Sequence, residues 1–342
     1  MKEIIDSIKN LEVGEVQKHK NLAVVPLIGR DSNLDYLVLS DAINNGFEIT
    51  ERPNESGGPS VPNLYVANKT GKRVLSIAGE YVVGGRQNRA LTRNIYFSKQ
   101  FEGVIPVTCI EQGRWNPGQA QPLPDLEVPG RVPAPEEPQR VPIGVFASAG
   151  VVPRYMAKAE QVAAWGFAGQ TLRSYCCSSP SSDLSEVYRQ REKDFDKFKG
   201  NFSSLDGQVG AISIISKNGK KSFVTDVFDK NSTFKSYFDN LLKSYILESG
   251  LEDKSEISVS SQEAKGFLDS VDACEFRNVN PISLGNDIEI KMDNLKGSAL
   301  LFEGNFLYLN LFTPPENVPE ARGPTFESIP SEVRTGFGRT IF

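Results

Sequence analysis

Val209-Gly210-Ala211-Ile212-Ser213-Ile214-Ile215-Ser216, then Asn218-Gly219, then Ser222-Phe223-Val224-Thr225-Asp226-Val227-Phe228 decide the fold class. Two β-rich runs meet at an Asn-Gly pair, the strongest short hairpin signal, because both residues accept the positive φ of a type I′ turn. Straight after them, Phe234, Tyr237, Phe238, Leu241, Leu242, Tyr245 and Ile246 recur at helical spacing. Their stripe predicts a long helix packed on the hairpin, with Asn231 or Ser232 as its cap. Two strands followed by a helix, with no βαβ alternation, read as α+β.

Downstream, Ser260 with Glu263 forms a capping box ahead of Phe267, Leu268 and Val271. Strands at 298–302 and 306–312 meet at Glu303-Gly304-Asn305. Upstream, helices are expected over 153–175 and from Ser182-Asp183 through Phe198. Residues 116–142 carry prolines at 117, 122, 124, 129, 133, 135, 138 and 142, a long connection without regular structure. Before it lies a β-rich half. A helix over 3–11 and a capped turn at Ser40–Gly46 accompany strands at 21–28, 36–39, 61–67, 73–77, 81–83, 94–97 and 103–110. That series predicts an antiparallel, sandwich-like sheet. The expected organisation is a β-rich region 1–115, the proline-rich connection 116–142, an α+β region 143–312, and an extended or disordered tail 313–342.

Net charge is −5 with an isoelectric point near 5.3 and no broad basic stripe, which argues against duplex nucleic acid. No apolar run suggests a membrane span or a signal peptide, so a cytoplasmic location is expected. The single histidine, His19, lies between Lys18 and Lys20. Triad chemistry and multi-histidine metal centres are therefore excluded, and no metal-ligand spacing is present. Cys109, Cys176, Cys177 and Cys274 read as reduced thiols, with Cys109 a small buried residue rather than a nucleophile.

Chemistry concentrates in two polar runs, Gly79-Glu80-Tyr81-Val82-Val83-Gly84-Gly85-Arg86-Gln87-Asn88-Arg89 and Cys109-Ile110-Glu111-Gln112-Gly113-Arg114-Trp115. Each follows an apolar strand. Gly84-Gly85 permits a tight turn. Gln87 and Asn88 can read hydroxyls or amides, and Arg89 and Arg114 can grip a phosphate or carboxylate in a fork. Trp115 offers a face for stacking. Glu80 and Glu111 are candidate catalytic carboxylates, for acid/base work or for a divalent ion such as Mg²⁺. Neither a phosphate loop nor a dinucleotide fingerprint is present. The competing reading is structural: Glu80 and Glu111 paired with Arg89 and Arg114, Gly84-Gly85 a plain hairpin turn, Trp115 a core anchor.

At these residues the chain resembles the ADP-ribosylglycohydrolase- and rhodanese-phosphatase-associated protein family, a domain of unknown function. The resemblance rests on Asn21-Leu22-Ala23-Val24-Val25-Pro26-Leu27, on Gly79-Glu80 with Gly84-Gly85 and Gln87-Asn88-Arg89, and on Pro106 to Trp115. It returns at Gly207-Gln208-Val209-Gly210-Ala211 and Leu242-Lys243-Ser244-Tyr245, covering about 14–312. It implies association with NAD and ADP-ribose metabolism. Three functions follow. The first is binding, with or without hydrolysis, of an ADP-ribose-like or other phosphorylated nucleotide. The second is a non-enzymatic assembly protein whose tail mediates a homo-oligomer. The third is a carbohydrate-acting carboxylate pair, which requires Glu80 and Glu111 to stand about 5–5.5 Å or about 6.5–9.5 Å apart. The sharpest geometric expectation is that Glu80, Gln87, Arg89, Glu111 and Arg114 converge.

Overall fold

The structure is a computed structural model and describes residues 2–53, 59–114 and 147–315. The proline-rich connection, Trp115 and most of the tail lie outside the described residues, and so does the expected oligomer contact. The class is α+β. Its centre is the hairpin Gln208–Lys217 and Lys220–Phe228, in register from Gly210↔Val227 to Lys217↔Lys220. Asn218 and Gly219 take φ of 51° and 75°, as a type I′ turn requires.

This hairpin is the middle of a nine-stranded antiparallel sheet. On one side follow Leu22–Ile28 and the short strands Glu12–Val13 and Gln17–His19, which share its outer edge. On the other side come Asn305–Phe312, Leu295–Phe302, Asn286–Met292 and Glu275–Val279. One strand of the first sequence region, Leu22–Ile28, thus sits inside the sheet of the second. Alternation along it explains why both sheet faces are covered. Ala23, Val25 and Leu27 face a core closed by Ile4 and Ile8 of the helix Lys2–Lys9 and by Ala264 and Leu268 of the helix Ser261–Asp269. Leu22 and Val24 face the core under the helix Asn231–Ser249.

The remaining strands build a second body. A six-stranded antiparallel sheet runs Ala147–Val151, Glu80–Val83, Arg89–Leu91, Glu102–Cys109, Pro59–Asn68, Phe47–Pro53. A three-stranded sheet runs Ile95–Phe97, Val74–Ser76, Leu37–Val38, the last pair parallel. Phe47, Ile49, Leu64 and Ile105 of the first meet Val74, Ile95 and Phe97 of the second, giving the sandwich-like core. Tyr81, Ala90 and Tyr96 then continue into the core that includes Ala211, Leu241 and Tyr308, so the two bodies share one interior.

Three local expectations are corrected. The long helix is not capped by Asn231 or Ser232. Its first residue, Asn231, donates its backbone N–H to the Asp31 carboxylate at 2.8 Å, a cap supplied from 200 residues away. The short helix after residue 38 starts at Leu39 and has no side-chain cap from Ser40, although Gly46 does follow it with φ 98°. Seven further strands are present among the described residues, Glu12–Val13, Gln17–His19, Phe47–Pro53, Arg89–Leu91, Ala147–Val151, Glu275–Val279 and Asn286–Met292. The N-cap half of the Ser260 box forms, Ser260 Oγ accepting from Glu263 N at 3.2 Å, while the Glu263 carboxylate accepts from Lys221 Nζ at 2.8 Å. No described helix is long and apolar enough to cross a membrane.

Candidate functional site

Both polar runs end at the same edge of the six-stranded sheet because Cys109 lies opposite Arg89 in the ladder. The turn Gly84–Asn88 and the segment Ile110–Arg114 therefore leave the sheet side by side. Gly84 and Gly85 take φ of 122° and 55°, so the turn needs residues without a Cβ. At Gly113 the need is proximity. A Cβ there would come 3.0 Å from Ser181 Cα, and the N–H groups of Gln112 and Gly113 both donate to Ser181 O.

Glu111 is the hub. Its Oε1 accepts from Arg114 Nε at 2.8 Å and from Ser181 Oγ at 2.7 Å. Its Oε2 accepts from Arg114 Nη2 at 2.7 Å and from the backbone N–H of Asn88 at 3.0 Å. Arg114 reaches on to Gly85 O and to Asn88 Oδ1. Asn88 donates to Asp183 Oδ2 at 2.9 Å, and Asp183 also receives both the N–H and the hydroxyl of Ser185. A second pair adjoins this one. Arg89 Nη2 meets Glu51 Oε2 at 3.3 Å and donates from Nη1 to Gln87 O at 2.8 Å, while Glu51 Oε1 accepts from Arg86 N. Gln87 Nε2 donates to Gln112 O at 3.1 Å. Trp165 closes the group, its indole N–H donating to Glu111 O. Glu51, Gln87, Asn88, Arg89, Glu111, Arg114 and Asp183 are each at most 5% exposed.

The structure thus brings together Gln87, Asn88, Arg89, Glu111 and Arg114, and it does not bring Glu80 to them. Glu80 begins its strand level with Leu91 and Val107, whereas Glu111 lies four residues beyond Val107. The two glutamates thus start from backbone positions two strands across and four residues apart. Glu80 instead accepts from Ile77 N at 2.9 Å and lies beside Tyr237, whose phenol is raised well above its usual range by burial and then by the Glu80 charge. Trp115 lies outside the described residues.

Two members, Glu51 and Asp183, were not singled out from the sequence. Glu51 had a readable signal: in Phe47-Glu48-Ile49-Thr50-Glu51 it shares the inward face with Phe47 and Ile49, an acid where a strand should be apolar. Asp183 was legible only as a helix-start residue. Burial, and then the nearby charge of Glu111, push its carboxyl up to about 7. Asn88 touches both Glu111 and Asp183. Cys109 is buried and its thiol is pushed up to about 11, chiefly by desolvation, so it is inert at neutral pH.

A third buried ion pair lies between the two bodies. Arg154 Nη2 meets Asp226 Oδ1 at 2.6 Å and Arg154 Nε donates to the Tyr308 hydroxyl at 2.7 Å, while Tyr245 and Tyr308 both donate to Asp226. Among the described residues no group of three His, Cys, Asp or Glu side chains could hold a metal ion.

Searches of curated proteins and of solved structures gave no match. The model of the ARG and Rhodanese-Phosphatase-superfamily-associated Protein domain matches residues 10–312, which include every strand and helix of the large sheet from Glu12 to Phe312 and both polar runs up to Arg114. The chain belongs to that family.

Proposed function

We propose that this chain acts in ADP-ribose-linked metabolism as a binding or assembly protein, and that its acid–arginine cluster is an internal clamp rather than a catalytic carboxylate pair. The observation that carries this reading is the saturation of Glu111: each carboxylate oxygen already accepts two hydrogen bonds. A general base needs a free lone pair, and a phosphate needs uncommitted guanidinium. The cluster's three carboxyl groups against its two buried guanidinium groups leave no surplus positive charge for an anion. The family's name, which describes an associated protein, supports the same reading.

Removing one partner of a buried ion pair costs on the order of 3–5 kcal/mol. Glu111→Ala should therefore lower the melting temperature by many degrees. A melting temperature within a degree of the parent would sink the clamp. The chain should show no turnover of ADP-ribose or NAD, with or without Mg²⁺.

One observation favours a second reading, binding and hydrolysis of an ADP-ribose-like phosphorylated nucleotide. Asn88 bonds to both Glu111 and Asp183, and Asp183 is pushed up to about 7, so two carboxyl groups share one site and one of them keeps its proton toward neutral pH. In that reading Asp183 replaces Glu80 as the second carboxyl, and Arg89, Arg114, Gln87 and Asn88 hold the ligand. Isothermal titration with ADP-ribose and NAD separates the two. Heat of binding that disappears in Asp183→Asn, with the fold retained, supports the second.

A further inference from the structure

A different cavity, of about 450 Å³, opens where the helix Gln161–Ser174 and the helix Asn231–Ser249 both end. Tyr175 ties the two ends together, its hydroxyl donating to Ile246 O and Leu247 O. One wall is apolar, formed by Met156, Ala159, Ala163 and Phe167, with Tyr155 edge-on to Phe167 at 5.6 Å between ring centres. Facing it is Glu248. Among the described residues its carboxyl group makes no hydrogen bond and no ion pair. The two cations that also line the cavity are committed elsewhere. Lys217 donates to the main-chain oxygen of Glu248, and Arg191 spends its donors on Asp194, Glu252 and Tyr175 O.

The field of this cavity is negative. Two helix C-termini end beside it, each carrying roughly half a negative charge. Glu252 and Asp253 add carboxylates at its lining. A half-buried acid without a hydrogen-bond partner, an aromatic wall and an aliphatic surface together describe one chemical class. We propose that this cavity binds an organic cation, a primary ammonium or guanidinium on an aliphatic stem, with Glu248 as counter-ion. The stem lies along Met156, Ala159 and Ala163, and Tyr155 and Phe167 flank the charged end.

The proposal carries a pH signature. Burial pushes the Glu248 carboxyl up to about 7, against the opposing pull of Lys217 and Arg154, with Asp226 adding to the rise. The phenols of Tyr155 and Tyr175 also sense its charge and stay protonated, Tyr155 well above its usual range and Tyr175 raised likewise, both chiefly by burial. Lys217 is lowered by burial, yet Glu248 holds it up. A cation selects the ionised carboxylate, so binding expels a proton. For an acid titrating near 7, affinity should rise roughly tenfold from pH 6 to pH 8 and then level off.

The test is isothermal titration of the full chain with agmatine and hexylamine, with hexanamide and hexanoate as neutral and anionic controls. Binding of the cations alone is expected, with the tenfold rise. Glu248→Gln should weaken it at least tenfold and abolish the pH dependence, while the melting temperature at pH 8 stays no lower than the parent's, since the ionised carboxylate is disfavoured in the fold. Ala163→Phe, which fills the cavity, should block binding independently. No binding at millimolar cation, equal binding of hexanamide, or cation binding that survives both variants would overturn the proposal.

Discussion

At the scale of single residues, the interior holds carboxyl groups in two different conditions. Glu111 is ringed by donors, with Arg114 forking onto both of its oxygens. Asp183, touching the same asparagine, carries a proton up to about pH 7. The consequence for stability has a definite sign. In the unfolded chain Asp183 releases its proton near pH 4, whereas in the fold it keeps it to about 7. Across that window the unfolded state binds fewer protons, so this group makes stability fall as pH rises, and the loss is complete above 7. Asp183→Asn stays neutral throughout and should flatten that fall. Urea unfolding at intervals from pH 4 to 8 checks it, and an unchanged slope would count against the assignment. Glu51 shows how much of the site a single sequence can hold back. The acid was visible at an inward strand position, but its partner Arg89 lies 38 residues on, and only the sheet brings them together.

At the scale of elements, the best-read pieces are those whose signal is local. The Asn218-Gly219 hairpin and the Ser260 N-cap each depend on residues within a few positions of one another, and both form. The cap of Asn231–Ser249 depends on Asp31 and could not be read from its neighbourhood. Asp31→Ala should cost about 1 kcal/mol, the usual value of a lost helix cap. Ser232→Ala should cost far less, since its side chain does not cap this helix. Chemical denaturation of the two variants side by side decides between the near and the distant cap. The unread strands fail for different reasons. Glu275–Val279, Glu-Phe-Arg-Asn-Val, is a polar, half-exposed edge with little apolar signal. Asn286–Met292 did alternate, with Ile288 and Ile290 buried against an exposed Lys291, so its period was available. Arg89–Leu91 has three residues, too few for any period to show.

For the whole molecule, the two sheet bodies are joined by apolar and polar contacts alike. Tyr81, Ala90 and Tyr96 enter the core beneath the Asn231–Ser249 helix. Across the same boundary Asn94 Nδ2 donates to Ser298 Oγ at 2.9 Å, and Ser298 donates to Asn310 Oδ1 at 2.6 Å. Arg93 adds an ion pair to Asp287. With one shared interior, the chain should unfold as one cooperative unit. Differential scanning calorimetry should give a single transition with matching calorimetric and van't Hoff enthalpies. Two resolved peaks would show that the bodies melt separately. The resemblance of the polar runs to their family was legible before any of this, because it rests on short contiguous motifs. The shared interior was not, because it is made of residues scattered from Leu22 to Phe312.

The placement of Leu22–Ile28 also fixes the order in which the protein can be completed on the ribosome. Its partner Gln208–Lys217 follows about 190 residues later in the chain. At roughly 5–20 residues per second, this apolar strand emerges on the order of ten to forty seconds before the ladder that covers it exists. Through that interval its backbone partners among the described residues are the two- and three-residue strands Glu12–Val13 and Gln17–His19. Over that interval the growing chain carries an apolar strand whose open edge is free to pair with other chains until the hairpin arrives.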